Sequence, residues 1–230
     1  MKRFCFFGGM AALSALTAFS QSAGRAEGEK KRTGEFRIPL PMVDPRAIAP
    51  GALVPLTPGQ KANLAFRNTF YPQALANRLL LAGWDHLLDH PSEWPGDGEG
   101  FGMRMGNRVG WLATRNSIQL GVNVLMKTEP RYDLCICSGV KSRLWHAWRR
   151  VLVTRRDDGR ETFAAAQMAG SFGTPWVAYN WYPDRFHTTG RKFQAGATDL
   201  GWRAVTNTLR EFWPDIAVKL HLPLIFHRRP

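Results

Sequence analysis

The sequence predicts a mainly α fold: a helical bundle packed through Gly/Ala small-residue stripes, with a short irregular or β-turn section in the middle. Three observations carry that prediction. Gly102, Gly106 and Gly110 stand four apart on one helical face, within a segment that reads as helix from about 100 to 127. Each interior Gly costs a helix about 1 kcal/mol against Ala, so three in register imply that another backbone approaches closely there. Second, Thr57-Pro58-Gly59-Gln60 is a helix start: Thr as N-cap, Pro at the first helical position, Gln placed to reach back. Third, twenty residues from Phe163 to Tyr182 carry no formal charge, and Ala165, Ala169 and Gly173 make a second stripe suited to the Gly102 ladder.

The chain divides into a signal peptide at 1–26, a Pro-rich linker at 27–56, a helical domain at 57–216 and a basic tail at 217–230. Met1-Lys2-Arg3 is followed by an apolar run from Phe4 to Phe19 and then small residues at Ser20, Ser22, Ala23 and Ala26, the pattern of a secretory signal. A retained anchor is the rival; Gly8, Gly9, Ser14 and Thr17 interrupt the run and favour cleavage. Cleavage after Ala26 removes Lys2, Arg3 and Arg25, leaving 28 basic against 18 acidic residues, a net charge of +10. Export excludes nucleic acid as the natural partner of that charge. Anionic lipid headgroups or envelope polymers remain, as does a plain basic surface. Small-residue faces are also compatible with a homo-oligomer.

Pro39, Pro41, Pro45, Pro50 and Pro55 break every potential helix in the linker. The helix begun at Thr57 then carries Leu64, Phe66, Phe70, Leu75, Leu79, Leu80, Trp84, Leu87 and Leu88 as an apolar, core-forming face, with a kink or break at Pro72. Between 131 and 160, basic residues alternate with Leu144, Trp145, Trp148, Val151 and Val153. That text fits an interfacial segment or an ordinary core element whose Arg side chains reach outward. Asp157-Asp158-Gly159 marks a turn. Phe163 to Tyr182 reads either as a buried helix, broken at Pro175, or as a bilayer span of low apolarity. Trp176, Tyr179, Trp181 and Tyr182 crowd its end. A last helix runs from about 191 to 212, with Ala197, Gly201 and Val205 as a third stripe, and Trp213-Pro214 is expected to stop it. Asp199 and Arg203 argue against a simple span there.

Candidate chemistry is sparse. His86 and His90 lie i, i+4 with Asp89 beside them, a spacing able to present two imidazoles to a metal, though histidines also suit a helix C-terminus. Ala169-Gly170-Ser171-Phe172-Gly173 approaches the nucleophile elbow of serine hydrolases but follows an Ala-rich helical stretch rather than a strand. Lys127, Arg131, His146, Arg149 and Arg150 suit phosphate handling, yet the Ser-Gly-His core of a membrane phosphatase is missing. Cys135 and Cys137 read as two ordinary loop or strand cysteines, because a bridge across one residue is strained.

Glu93-Trp94-Pro95-Gly96, Gly100-Phe101-Gly102-Met103-Arg104, Glu129-Pro130-Arg131-Tyr132, Asn180-Trp181-Tyr182-Pro183 and Glu211-Phe212-Trp213-Pro214-Asp215-Ile216 together resemble a group of uncharacterised exported bacterial envelope proteins. The likeness covers about 82–216 and implies no activity, ligand or site residue. The expectation is therefore an exported cell-envelope protein of the periplasm or outer envelope, membrane-associated and non-enzymatic, with no catalytic, cofactor-binding or metal residue assigned. Its rivals are a hydrolase using His86, Asp89 and His90 or Ser171, and a lipid-binding bundle with Trp176 to Tyr182 as its pocket.

Overall fold

Thr57 starts the first helix as its sequence dictates. Its hydroxyl accepts from the Gln60 N–H at 3.3 Å while the Gln60 side chain accepts from the Thr57 N–H at 2.9 Å, which satisfies two donors that the first turn leaves open. The computed structural model describes residues 55–135 and 137–220. The signal segment, nearly all of the Pro-rich linker and the tail beyond 220 lie outside the described residues. Helix α1 (Pro58–Phe70) ends at Tyr71, whose backbone is extended because the residue before a proline is disfavoured in the helical region. Pro72 then opens α2 (Pro72–Leu87). Asp97 caps α3 (Gly98–Leu125), accepting from the Gly100 N–H at 3.1 Å.

Helix α4 (Val140–Leu152) runs directly into strand β1 (Val153–Arg155), which pairs antiparallel with β2 (Glu161–Phe163), Thr154 opposite Thr162. Gly159, at φ +85°, makes the turn between them in a conformation that a side chain would strain. Helix α5 (Ala165–Ala178) accommodates Pro175 without breaking, and two short 3₁₀ turns lead to α6 (Thr189–Lys219). The protein is mainly α. Helix α3 is central and packs on α1, α2 and α5, α5 packs also on α6, and α6 on α4. Among the described residues no helix is long and apolar enough to cross a membrane.

Several expectations are corrected. A Cβ added at Gly102 or Gly106 would meet nothing within 4 Å, and at Gly110 only the Trp181 ring at 3.5 Å, so the ladder faces outward and is not the seam with α5. The seam lies two turns further along: Gly170 and Gly173 of α5 receive Gln119 and Ile118 of α3, and Gly196 of α6 receives the Phe172 ring. Small residues are used there to admit large side chains rather than another backbone. Gly201 of the third stripe also meets nothing.

Pro214 does not stop α6, which continues to Lys219. A helical proline gives up the bond to the carbonyl four residues back and loosens that turn. Here Arg143 of α4 braces the segment, donating to the Glu211 carbonyl and pairing with Asp215. Cys135 and Cys137 are joined as a disulfide, with Cα atoms 5.2 Å apart, inside the range that a bridge spans.

The largest correction concerns which face is inside. Phe66, Phe70, Leu79, Leu80, Trp84, Leu87 and Leu88, expected as core, are all exposed, and the interior faces of α1 and α2 carry Lys61, Thr69 and Asp85. The largest fully buried side chains of the fold include Arg104, Glu211, Asn207 and Thr128. Helix α1 keeps its amphipathic spacing with the polarity reversed, whereas α2 buries Leu81 and Ala82 beside Asp85.

Candidate functional site

Polar residues on α3 recur at Arg104, Asn107, Arg108, Arg115, Gln119 and Asn123, and the helical period places them along one side. Partners from four other elements meet them. Arg108 forms a two-pronged pair with Asp85 of α2, both contacts at 2.6 Å. Asn107 donates to the Tyr182 hydroxyl and accepts from Trp181 Nε1. Arg115 pairs with Asp199 of α6 at 3.0 Å; the other Asp199 oxygen accepts from Ser171, and Ser171 accepts from Gln167 at 2.9 Å. Gln167 in turn accepts from Gln119 at 3.2 Å, which closes a polar chain across α3, α6 and α5.

At the near end of this seam lies Arg104, completely buried. Its guanidinium donates to the carbonyls of His90, Pro91, Trp94 and Pro95 at 2.6–3.3 Å and to Asp89 at 3.1 Å. This explains the loop after α2. The loop wraps a cation, and its carbonyls, which have no helix to bond within, are satisfied by it.

At the far end the seam opens into two adjoining clefts of about 90 and 110 Å³. Both are walled by Gln119 and Asn123 of α3, Arg131 and Tyr132 of the following loop, and Arg203 and Arg210 of α6. Lys61 of α1 closes one side and Arg150 of α4 the other. Three of the five cations are balanced. Lys61 pairs with Asp157 at 2.8 Å, Arg131 with Glu129 at 2.6 Å, and Arg150 with Asp133. Arg203 and Arg210 make no hydrogen bond or ion pair among the described residues. Arg210 lies over the Tyr132 ring at 5.8 Å, while the Tyr132 hydroxyl is turned away to Glu211 at 2.7 Å.

The electrostatics follow from this crowding. Burial, then repulsion from Arg115 and Arg210, holds Arg203 well below the ordinary arginine value. Arg210 is lowered by burial, with Tyr132 opposing and Arg115 adding. Arg78, on the α2 side of the seam, is lowered to about 10 by burial and then by Arg108 and Arg115. Burial and the Glu211 hydrogen bond push the Tyr132 phenol upward. The arginines stay protonated at neutral pH, so the interior holds more positive charge than its carboxylates balance.

The residues proposed from sequence for enzymatic roles are differently occupied. His86 Nδ1 faces Arg104 at 3.4 Å, Asp89 pairs with Arg104, and the His90 ring packs edge-on against Phe186. These three therefore belong to the arginine-wrapping loop, and among the described residues no group of three His, Cys, Asp or Glu side chains could hold a metal ion. Ser171 sits buried in the middle of α5, donating to Asp199 and accepting from Gln167, with no strand-to-helix elbow at it and no imidazole bonded to it among the described residues.

No family model matches the chain, and comparison with curated proteins and with solved structures finds no match. The functional reading therefore rests on the geometry.

Sequence reasoning used Arg203 only as an argument against a span, and it missed Arg210. The signal was available: Asp199, Arg203, Asn207 and Arg210 follow one another by four, four and three residues, a polar helical stripe facing away from Val205 and Leu209.

Proposed function

We propose that the protein is an exported cell-envelope protein that seats on a membrane surface, non-enzymatically, using an apolar exterior. The observation that carries this reading is the outer face of α4. Val140, Leu144, Trp145, Trp148 and Leu152 form one exposed strip, and Phe163 of the hairpin lies beside its end, where Ala164 bonds Leu152. Trp145 is 70 % and Trp148 57 % exposed, whereas Ala147, Arg150 and Val151 of the same helix are buried. Clustered outward Trp and Leu mark a surface that something apolar covers, and Trp suits the boundary between headgroups and acyl chains. Export itself is read from the N-terminal sequence.

The test is sedimentation of the full chain with vesicles of anionic and of zwitterionic lipid. Binding to both, stronger to the anionic ones, is expected, and Trp145→Ser with Trp148→Ser should weaken it by about tenfold or more. A chain that stays in the supernatant with both vesicles, with its tryptophans shielded in a dimer instead, would sink the reading. In cells, extraction by salt, alkaline carbonate or detergent separates electrostatic adhesion from partial embedding.

A further inference from the structure

Beyond any membrane seat, we propose that the cleft between Arg203 and Arg210 is a binding site for a phosphate-class dianion, either free phosphate or a phosphomonoester headgroup. The argument starts from charge. Of the five cations on the cleft walls, Lys61, Arg131 and Arg150 each have a carboxylate within salt-bridge distance, and two arginines do not. Nearby carboxylates are committed elsewhere: Asp199 binds Arg115 and Ser171, and Glu211 takes the Tyr132 hydroxyl and the Cys135 N–H at 3.1 Å. Two half-buried cations that share a cleft, neither with a carboxylate within salt-bridge distance among the described residues, repel each other, and together they match a ligand of charge minus two.

Geometry narrows the class. Arg203 and Arg210 are seven residues apart on α6, two turns and about 10.5 Å along the axis, and both line the same two clefts. Asn207, between them, is held by its donation to the Ala147 carbonyl at 3.1 Å, and Gln119 and Asn123 supply amides from the opposite wall. Volumes of about 90 and 110 Å³ admit a compact oxyanion. Planar guanidinium groups bind phosphate oxygens in pairs. Arg150 stands on the same wall with its side chain 3 % exposed, its charge held by Asp133 and Glu161.

The experiment is calorimetric titration and thermal denaturation of the purified full chain with inorganic phosphate and, separately, with soluble short-chain phosphatidic acid, each against chloride at equal ionic strength. Saturable binding of either probe is expected, and which probe binds more tightly distinguishes free phosphate from a headgroup. Arg203→Met and Arg210→Met should each weaken binding about tenfold or more while melting no lower than the parent in chloride. Arg185→Met, which breaks an exposed pair with Glu93 outside both clefts, should bind as the parent does. If neither probe binds saturably at millimolar concentration, or if both cleft variants bind as well as the parent, the proposal is wrong. If a cleft variant fails to fold, the parent titration alone still decides between these outcomes.

Discussion

Arg104 and Arg203 occupy opposite ends of one polar seam and are solved in opposite ways. Arg104 is surrounded by five oxygen acceptors, four of them carbonyls of a loop shaped around it. Arg203 stands half-buried on the cleft wall, with no acceptor of its own among the described residues. The first arrangement is a structural rivet, in which cation and loop each satisfy what the other leaves open. The second is a charge held ready. The difference teaches that burial does not assign a role to an arginine; its acceptors do.

That contrast can be broken by experiment. Arg104→Met should cost about 3–5 kcal/mol, because five acceptors lose their donor at once. Arg203→Met should leave stability unchanged or raise it by about 1 kcal/mol. Equal midpoints for the two variants in urea would erase the distinction. Next in size is Gly100, where an added Cβ would lie 1.7 Å from the Pro95 carbonyl oxygen, itself one of the Arg104 acceptors. Gly100→Ala should cost about 1–3 kcal/mol or more, whereas Gly106→Ala, in open space six residues on, should gain up to about 1 kcal/mol. A loss at Gly106 would mean that its face is covered after all.

The smallest expected effect is that of His90. Burial, partly opposed by Asp85, holds its imidazole below the ordinary 6.5, so the folded protein takes up that proton at lower pH than the unfolded chain. The stability involved is fully present above pH 6.5 and is lost as pH falls through the lowered value. His90→Gln should flatten the stability curve between about pH 7 and 5. A curve of unchanged slope would show that His90 does not contribute to the acid side of the rivet.

Much of this fold was legible in the sequence. Thr57, Pro58 and Gln60 announce α1 because capping is local chemistry; Pro72 divides α1 from α2 for the same reason, and Asp157-Asp158-Gly159 announces the hairpin. What could not be read is the sense of each helix. Spacing shows that Phe70 and Lys61 stand on opposite sides of α1, but periodicity is the same whether the apolar or the polar side faces the bundle. Only the tertiary partners decide, and here Asp157, Asn123 and Asn116 stand opposite α1. Pro214 misled because the brace that tolerates it, Arg143, lies 68 residues from the Glu211 carbonyl it serves. Part of the cleft was visible as Arg131 and Arg150, but the uncompensated pair on α6 was hidden by counting charges without their partners.

The ammonium of Lys61 reaches the Asn123 carbonyl, 62 residues later, and the hairpin turn at Asp157, 96 residues later. Whatever order the rest of the chain follows, α1 has no counter-charge until both have been made and brought together. Contacts of such separation carry a large loop-closure cost and tend to form late. The first of the described helices to leave the ribosome thus waits for the hairpin before it can dock, and until Asp157 arrives the Lys61 ammonium has to stay in water.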